Sequence, residues 1–405
     1  MRPPIVLRTA LLAAVLTSAS APALADVRIF DSADADNPKT LDAYGWVQPR
    51  LSWQQSDKRD GVNFDPNPAF TVQRFRLGFI ANMSGWVRGQ VEMEFAGQQP
   101  TPLIDAYVVA SPIPEFALTA GQFRVPFSGQ NLRASKNFQF ADTAYFVTSK
   151  WVHDRDMGAM VSGNLFDGKA RYFAGVFDGN DPGRAQTQNA DKYFLMAGRV
   201  ELSPLGPPPR FEGDLRPLAE RHQLVFNLGG GAMRNHIDDK HYVRTHIGAD
   251  LGLWWEGASL YAEYFRRTDR GDNSQPANPP PITSEGFNVQ VGYFPPAPWT
   301  QEHLEIVGRF ERFDPFVETK TPGHDAGERD LDQSNPTWGY QGYVFGVNVF
   351  PTKVHDVKLQ ASYEIRNETK KCLQGESGAG CTGFIRNNLF VAQATVAFLP
   401  TIEVP

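Results

Sequence analysis

The chain has 405 residues, with 45 acidic against 39 basic side chains and a net charge of −6. Mild acidity without a basic face excludes a nucleic-acid binder. The absence of any run of ~18 apolar residues beyond the N-terminus excludes a bundle of membrane-spanning helices. The 36 Gly, 31 Pro, 29 Phe, 12 Tyr and 8 Trp, with few helix-forming runs, suit many strands joined by turns.

Residues 1–25 read as an export signal: Arg2 and Arg8 at the start, the apolar stretch Leu11 to Leu16, and the small-residue cleavage site Ala23-Leu24-Ala25. That apolar run is too short to cross ~30 Å of hydrocarbon. Residues 26–40 follow as a short periplasmic segment, 41–399 as the folded unit, and 400–405 as a tail.

From Leu41 onward the hydropathy has period two. In Phe75-Arg76-Leu77-Gly78-Phe79-Ile80-Ala81 the odd positions are apolar, and Val243, Thr245, Ile247, Ala249, Leu251 and Leu253 alternate with Tyr242, Arg244, His246 and Asp250. Successive strand side chains point to opposite faces, so each segment has one apolar and one polar face. The pattern predicts strands near 41–54, 70–82, 86–96, 103–110, 115–125, 157–166, 169–178 and 192–202. The second half continues near 222–234, 241–253, 257–267, 285–294, 302–313, 339–349, 355–366 and 388–399.

A soluble sandwich also alternates, but its strands average ~5–6 residues, whereas a tilted membrane strand needs ~9–11. Tight turns at 82–85, 166–168 and 255–257 alternate with long polar loops at 55–69, 126–156, 179–191, 268–284, 314–338 and 367–387. Short turns on one side and long loops on the other predict an all-β, transmembrane antiparallel barrel of about sixteen strands in a Gram-negative-type outer membrane. The Pro-rich connection 203–221 is long where a short turn is expected. Trp46, Trp53, Trp86, Trp254, Trp255, Tyr293, Phe294, Phe350 and Phe398 lie at strand ends, as an interfacial aromatic girdle requires.

With the apolar face on lipid, the polar face lines a water-filled pore. Arg74 and Arg76 lie two apart on one strand, ~7 Å along the same face, with Arg50 and Arg88 on adjacent strands. The loop 126–156 adds Arg133 and Lys136; Arg124 fits less well, since Phe116 and Leu118 share its face. Guanidinium groups donate fork-wise to oxyanions, and a row of them passes an anion from site to site. Phe138, Phe140, Tyr145 and Phe146 make 128–150 too apolar for a solvated loop, so it is expected to tuck into the barrel.

Five segments carry a family resemblance: Gln73-Arg74-Phe75-Arg76-Leu77-Gly78-Phe79, Asp105-Ala106-Tyr107-Val108, Gly121-Gln122-Phe123-Arg124-Val125-Pro126-Phe127-Ser128, Arg155-Asp156-Met157-Gly158 and Ala170-Arg171-Tyr172-Phe173-Ala174-Gly175-Val176-Phe177. Over about 41–205 the chain resembles the phosphate-selective porins O and P. The resemblance implies a homotrimeric sixteen-stranded porin with the third long loop folded into the lumen. It further implies a pore for small inorganic anions, phosphate or polyphosphate, bound by basic residues of the early strands and that loop. By matching position it assigns Arg74 and Arg133, with Asp105 as an acidic neighbour. The chain departs in having Gln73-Arg74 where a doubled Arg would suit, and in running past Phe398-Leu399-Pro400 to Pro405.

A general or differently selective porin with no anion preference is the same-fold alternative. A barrel-scaffold enzyme is the other class, but Gly375-Glu376-Ser377-Gly378-Ala379 lacks the last Gly of a nucleophile elbow. His236, Asp238, Asp239 and His241 read as a solvated hairpin loop rather than a metal site. No catalytic residue, metal or cofactor is expected. After export Cys372 and Cys381 meet an oxidising compartment, and a disulfide closing a surface loop is expected.

Overall fold

A computed structural model describes residues 27–32, 39–55, 58–59, 62–63, 67–97, 103–148, 152–179, 189, 193–237, 242–271, 281–314, 317, 338–353, 356–370, 384–386 and 388–399. The signal, the tail, both cysteines and Asp238, Asp239 and His241 lie outside the described residues.

Sixteen strands form one closed antiparallel barrel. They are β1 Thr40–Gln54, β2 Asn67–Asn82, β3 Val87–Glu94, β4 Leu103–Ile113, β5 Phe116–Arg124, β6 Arg155–Leu165, β7 Ala170–Phe177 and β8 Leu195–Leu202. The second half comprises β9 Val225–Ile237, β10 Tyr242–Trp255, β11 Ala258–Gly271, β12 Ile282–Tyr293, β13 Leu304–Asp314, β14 Trp338–Val349, β15 Val357–Lys370 and β16 Leu389–Leu399. Each pairs with the next, and β1 closes on β16 from Gly45↔Leu399 to Gln54↔Leu389. An additional strand, Val27–Asp31, pairs with the start of β1, so the predicted periplasmic segment is partly built into the sheet. Among the described residues no helix is long and apolar enough to cross a membrane; the strands do the crossing.

The faces are inverted relative to a soluble protein. On β12, Val289 and Val291 are exposed while Asn288 and Gln290 are buried; on β2, Phe75 and Phe79 point out and Arg76 in. An apolar exterior and a polar interior are stable only where the exterior meets lipid. The girdle needs a correction. Trp53, Trp86, Trp255 and Tyr293 are exposed as a belt requires, but Trp46, Trp254, Phe294 and Phe350 are fully buried. Strand parity turns Trp46 and Trp254 inward, and parity outranks position along the strand.

Two local features set the register. Opposite Gln48 and Pro49, the pairing steps from Arg74 to Val72, so Gln73 is the extra residue of a bulge. Pro49 has no N–H to give a ladder, which suits it to that place. The bulge flips the parity of β2: Phe70 and Val72 face out below it, Arg74 and Arg76 in above it. On β5, Gly121 has φ +132°, and a Cβ there would lie 2.2 Å from the Ala106 carbonyl oxygen and 2.7 Å from Tyr107 Cα. This close approach is what the glycine of the Gly-Gln-Phe segment permits. Gly121→Val is expected to destabilise the barrel by at least ~1–3 kcal/mol through backbone strain alone; the midpoint of urea unfolding in detergent micelles should fall accordingly.

Candidate functional site

Between β5 and β6, residues 125–148 fill one side of the lumen. Phe127, Ala144, Phe146 and Val147 form a buried cluster with Phe177, Leu195, Met233, Phe265, Phe313 and Tyr340 of the inner wall. Phe146 stacks on Phe265 at 4.8 Å and Tyr145 on Tyr340 at 4.2 Å, while Phe140 packs with Val307 and Val344. The apolar residues that made this loop unsuited to solvent hold it inside, as the sequence predicted.

Its polar groups are tied to the same wall. Gln139 Nε2 donates to Ser259 Oγ (2.8 Å) and Glu305 Oε1 (2.6 Å), and the Tyr145 N–H to Glu311 (2.6 Å). In return Asn348, Gln360 and Lys358 donate to loop carbonyls of Gln139 and Phe138. The loop is thus tied to β11, β13, β14 and β15 and, through Asp142, to Arg50 on β1.

The arginines expected to line the pore from the strands lie on β1 to β3, next to β16, and Arg309 joins them from β13. Arg50 forks onto Asp142 with both Nη atoms at 2.9 Å, and its Nε donates to Gln393. Arg74 donates to Gln48 (3.0 Å) and stands 3.9 Å from Asp142. Arg309 donates to the Asp142 carbonyl (2.9 Å). Arg76 is held by Glu94 (2.8 Å) and Glu92 (3.1 Å), its guanidinium over Trp46. Arg88 has its Nε buried without a hydrogen-bond partner among the described residues.

Asp105 is bound by Arg155 at 2.8 and 3.2 Å, and Arg155 also reaches Asp154. Arg124 lies 4.0 Å from Asp154 and donates to the Arg133 carbonyl. Phe123 turns inward on β5, where it meets Tyr107 and Phe177 edge-on, and Arg124, the strand's last residue, also reaches the inward loop. The structure therefore brings Arg50 and Arg74 together around Asp142, and Arg76, Asp105 and Arg124 into a band of alternating charge. Arg133 stands apart: it donates to the Pro209 and Arg210 carbonyls (both 3.1 Å) and lies over Trp254 and Tyr261. Lys136 is buried within the loop.

Sequence reasoning missed Asp142, Arg155 and Asp154 because no strand parity applies in a loop or at a strand's first residue. Burial pushes the Asp142 carboxyl up, but Arg50, Arg74 and Arg309 outweigh it and hold it below the ordinary carboxylate range. The loop-to-wall clasp is therefore fully charged at neutral pH and opens only as the pH falls through that lowered value.

A closed sixteen-stranded barrel with an apolar outside, a charged lumen and one long loop folded inward is the architecture of an outer-membrane porin. Residues 47–209 match the sequence profile of the family described as phosphate-selective porin O and P, in agreement with the resemblance read from the five segments. No curated protein shows significant similarity to the chain. Among solved structures, the anion-selective porin from Comamonas acidovorans superposes with a TM-score of 0.58 at 12% identity, covering 89% of this chain and 99% of that one. OprB of Pseudomonas putida gives 0.58 at 11% identity, covering 88% and 93%. OmpT of Vibrio cholerae in its trimer form gives 0.54 at 13%, covering 89% and 99%. These similarities establish the shared fold.

Proposed function

We propose that the barrel passes small anions by passive diffusion, phosphate-type oxyanions among them, along the Arg50–Arg74–Arg309 wall. The observation that carries this reading is the charge around Asp142. Arg50 and Arg74 face one carboxylate while Arg309 donates to the same residue's backbone carbonyl, and Arg74 keeps its contact at 3.9 Å rather than in a closed fork. A guanidinium held near an acid but not saturated by it keeps donors for a passing oxyanion. Neighbouring arginines then offer the ion its next partner, which keeps exit fast. Arg88 extends this supply of donors on β3. The family match over 47–209 and the anion-selective porin among the structural neighbours support the same reading. We further infer a homotrimer in the outer membrane, in keeping with that family.

The competing reading, a general porin, draws on a different observation. Arg76 pairs with Glu92 and Glu94, Arg155 with Asp105 and Asp154, and Arg199 with Glu201 and Asp250. A wall so cross-paired has little net field. The two are separated at Asp142: Asp142→Asn removes the tethered counter-charge while retaining the residue's shape. The chloride-to-potassium permeability ratio is expected to rise at least several-fold, the ~2–4 kcal/mol per charge pair at 4–7 Å in an effective dielectric of 20 being reduced by screening in the water-filled lumen. A ratio that stays put would place these arginines off the permeation path.

A further inference from the structure

The connection from β8 to β9, residues 203–224, lies on the side of the tight turns, where β10 and β11 are joined by Glu256 and Gly257 alone. It does not hang below the barrel. Glu212 is 1% exposed and Asp214 fully buried. The Glu212 carboxylate accepts from Gln130 Nε2 (2.9 Å), from the Gln139 N–H (2.7 Å) and from Gln290 Nε2 of β12 (2.9 Å). Its backbone carbonyl accepts from Trp254 Nε1 at 2.9 Å, and its N–H donates to the Asn137 carbonyl at 3.3 Å. One residue of the periplasmic connection thus holds the inward loop at three places and the wall at two.

The rest of the segment is built to carry that residue inward. Pro207, Pro208 and Pro209 bring no N–H groups that would need partners inside the barrel. The carbonyls of Pro209 and Arg210 accept from Arg133, which stacks against Trp254 and Tyr261. At the tip a Cβ on Gly213 would lie 2.2 Å from Glu305 Oε1, so the backbone sits flush against β13. The base is anchored too. Asp214 accepts from Arg216 (2.6 and 3.0 Å) and from the Gly257 N–H (3.0 Å). Arg221 donates to the Arg216 and Gln301 carbonyls and accepts from the Glu256 N–H.

We propose that residues 204–223 are a strut, inserted from the periplasmic mouth, that holds residues 125–148 of the inward loop in place, with Glu212 joining the two. The constriction is then built from both ends of the barrel, and Arg133 is a positioning residue within that joint. This goes beyond the anion reading and does not depend on it, because a strut sets the loop's position whatever ion passes.

The test uses the full-length protein refolded in detergent and inserted in planar bilayers. In Glu212→Ala, amide exchange at Gln139 and Ala144 should accelerate about tenfold or more, since local opening governs protection. Open-channel current noise should rise with it, while the sign of the reversal potential stays as in the unaltered protein. Glu212→Gln keeps the side chain's length and one oxygen acceptor and should show the same changes in weaker form, which keeps the idea testable if the Ala variant assembles poorly. Gly213→Leu, which displaces the tip from Glu305, should reproduce the Ala result. Unchanged exchange and noise in Glu212→Gln and Gly213→Leu would overturn the proposal.

Discussion

Removing residues 130–148 is expected to raise single-channel conductance several-fold. The segment is held against β11, β13, β14 and β15 and to Arg50, and its Phe140, Phe146 and Val147 occupy lumen volume that water and ions would otherwise fill. The sixteen strands are paired to one another through their own ladders, so the barrel wall does not rely on the loop for its hydrogen bonds. Apolar surface left on Phe177, Phe265 and Phe313 would face water, at a cost of ~1.5–3 kcal/mol per large side chain. Some stability should therefore be lost, read as a lower unfolding temperature in detergent. Conductance in KCl is the decisive reading; a value equal to that of the unaltered protein would mean that the loop does not limit the current.

The second large effect is expected from Arg74→Glu combined with Arg76→Glu. Arg76 is enclosed by Glu92 and Glu94, and Arg74 stands beside Asp142. Reversal would put a run of carboxylates on one wall, each like-charge pair costing a few kcal/mol at an effective dielectric near 20. Cations would be drawn in to compensate, and the reversal potential under a KCl gradient should swing to cation preference. Arg270→Glu, at an exposed position near the end of β11, serves as the comparison and should change little, because exposed charges are screened within ~8 Å at physiological salt. A double variant that keeps the original selectivity would move the selective site elsewhere.

Much of the fold was legible in the chain because a membrane strand writes its two faces as period two. The alternation at 75–81 and 243–253 gave both the strands and their orientation. Alternation does not reveal what happens when it slips. The bulge at Gln73 was signalled only by Pro49 within a strand, and the chemistry of the Gln73-Arg74 step follows from it: Gln73 is the unpaired residue, so only Arg74 and Arg76 share the inward face.

The basic half of the site was readable by parity, but its counter-charges were not. Asp142 belongs to a loop whose path depends on long-range packing, and Arg155 opens a strand at the point where that loop returns. The inward course of 203–224 was marked by its length and prolines alone. Glu212 meets Gln130, Gln139 and Gln290 only because three separate segments converge in the lumen. For Trp46 and Trp254, the alternation already pointed inward, and position at a strand end was the weaker signal.

The most direct test of the account is the reversal potential of the unaltered channel under a tenfold KCl gradient, repeated as inorganic phosphate is added to both sides. Arginines gathered around a single loop carboxylate predict a potential displaced toward the chloride equilibrium value, with chloride current falling as phosphate occupies the same guanidinium groups. A potential at or beyond zero on the potassium side, with current indifferent to phosphate, would contradict it and leave a general porin with a cross-paired wall.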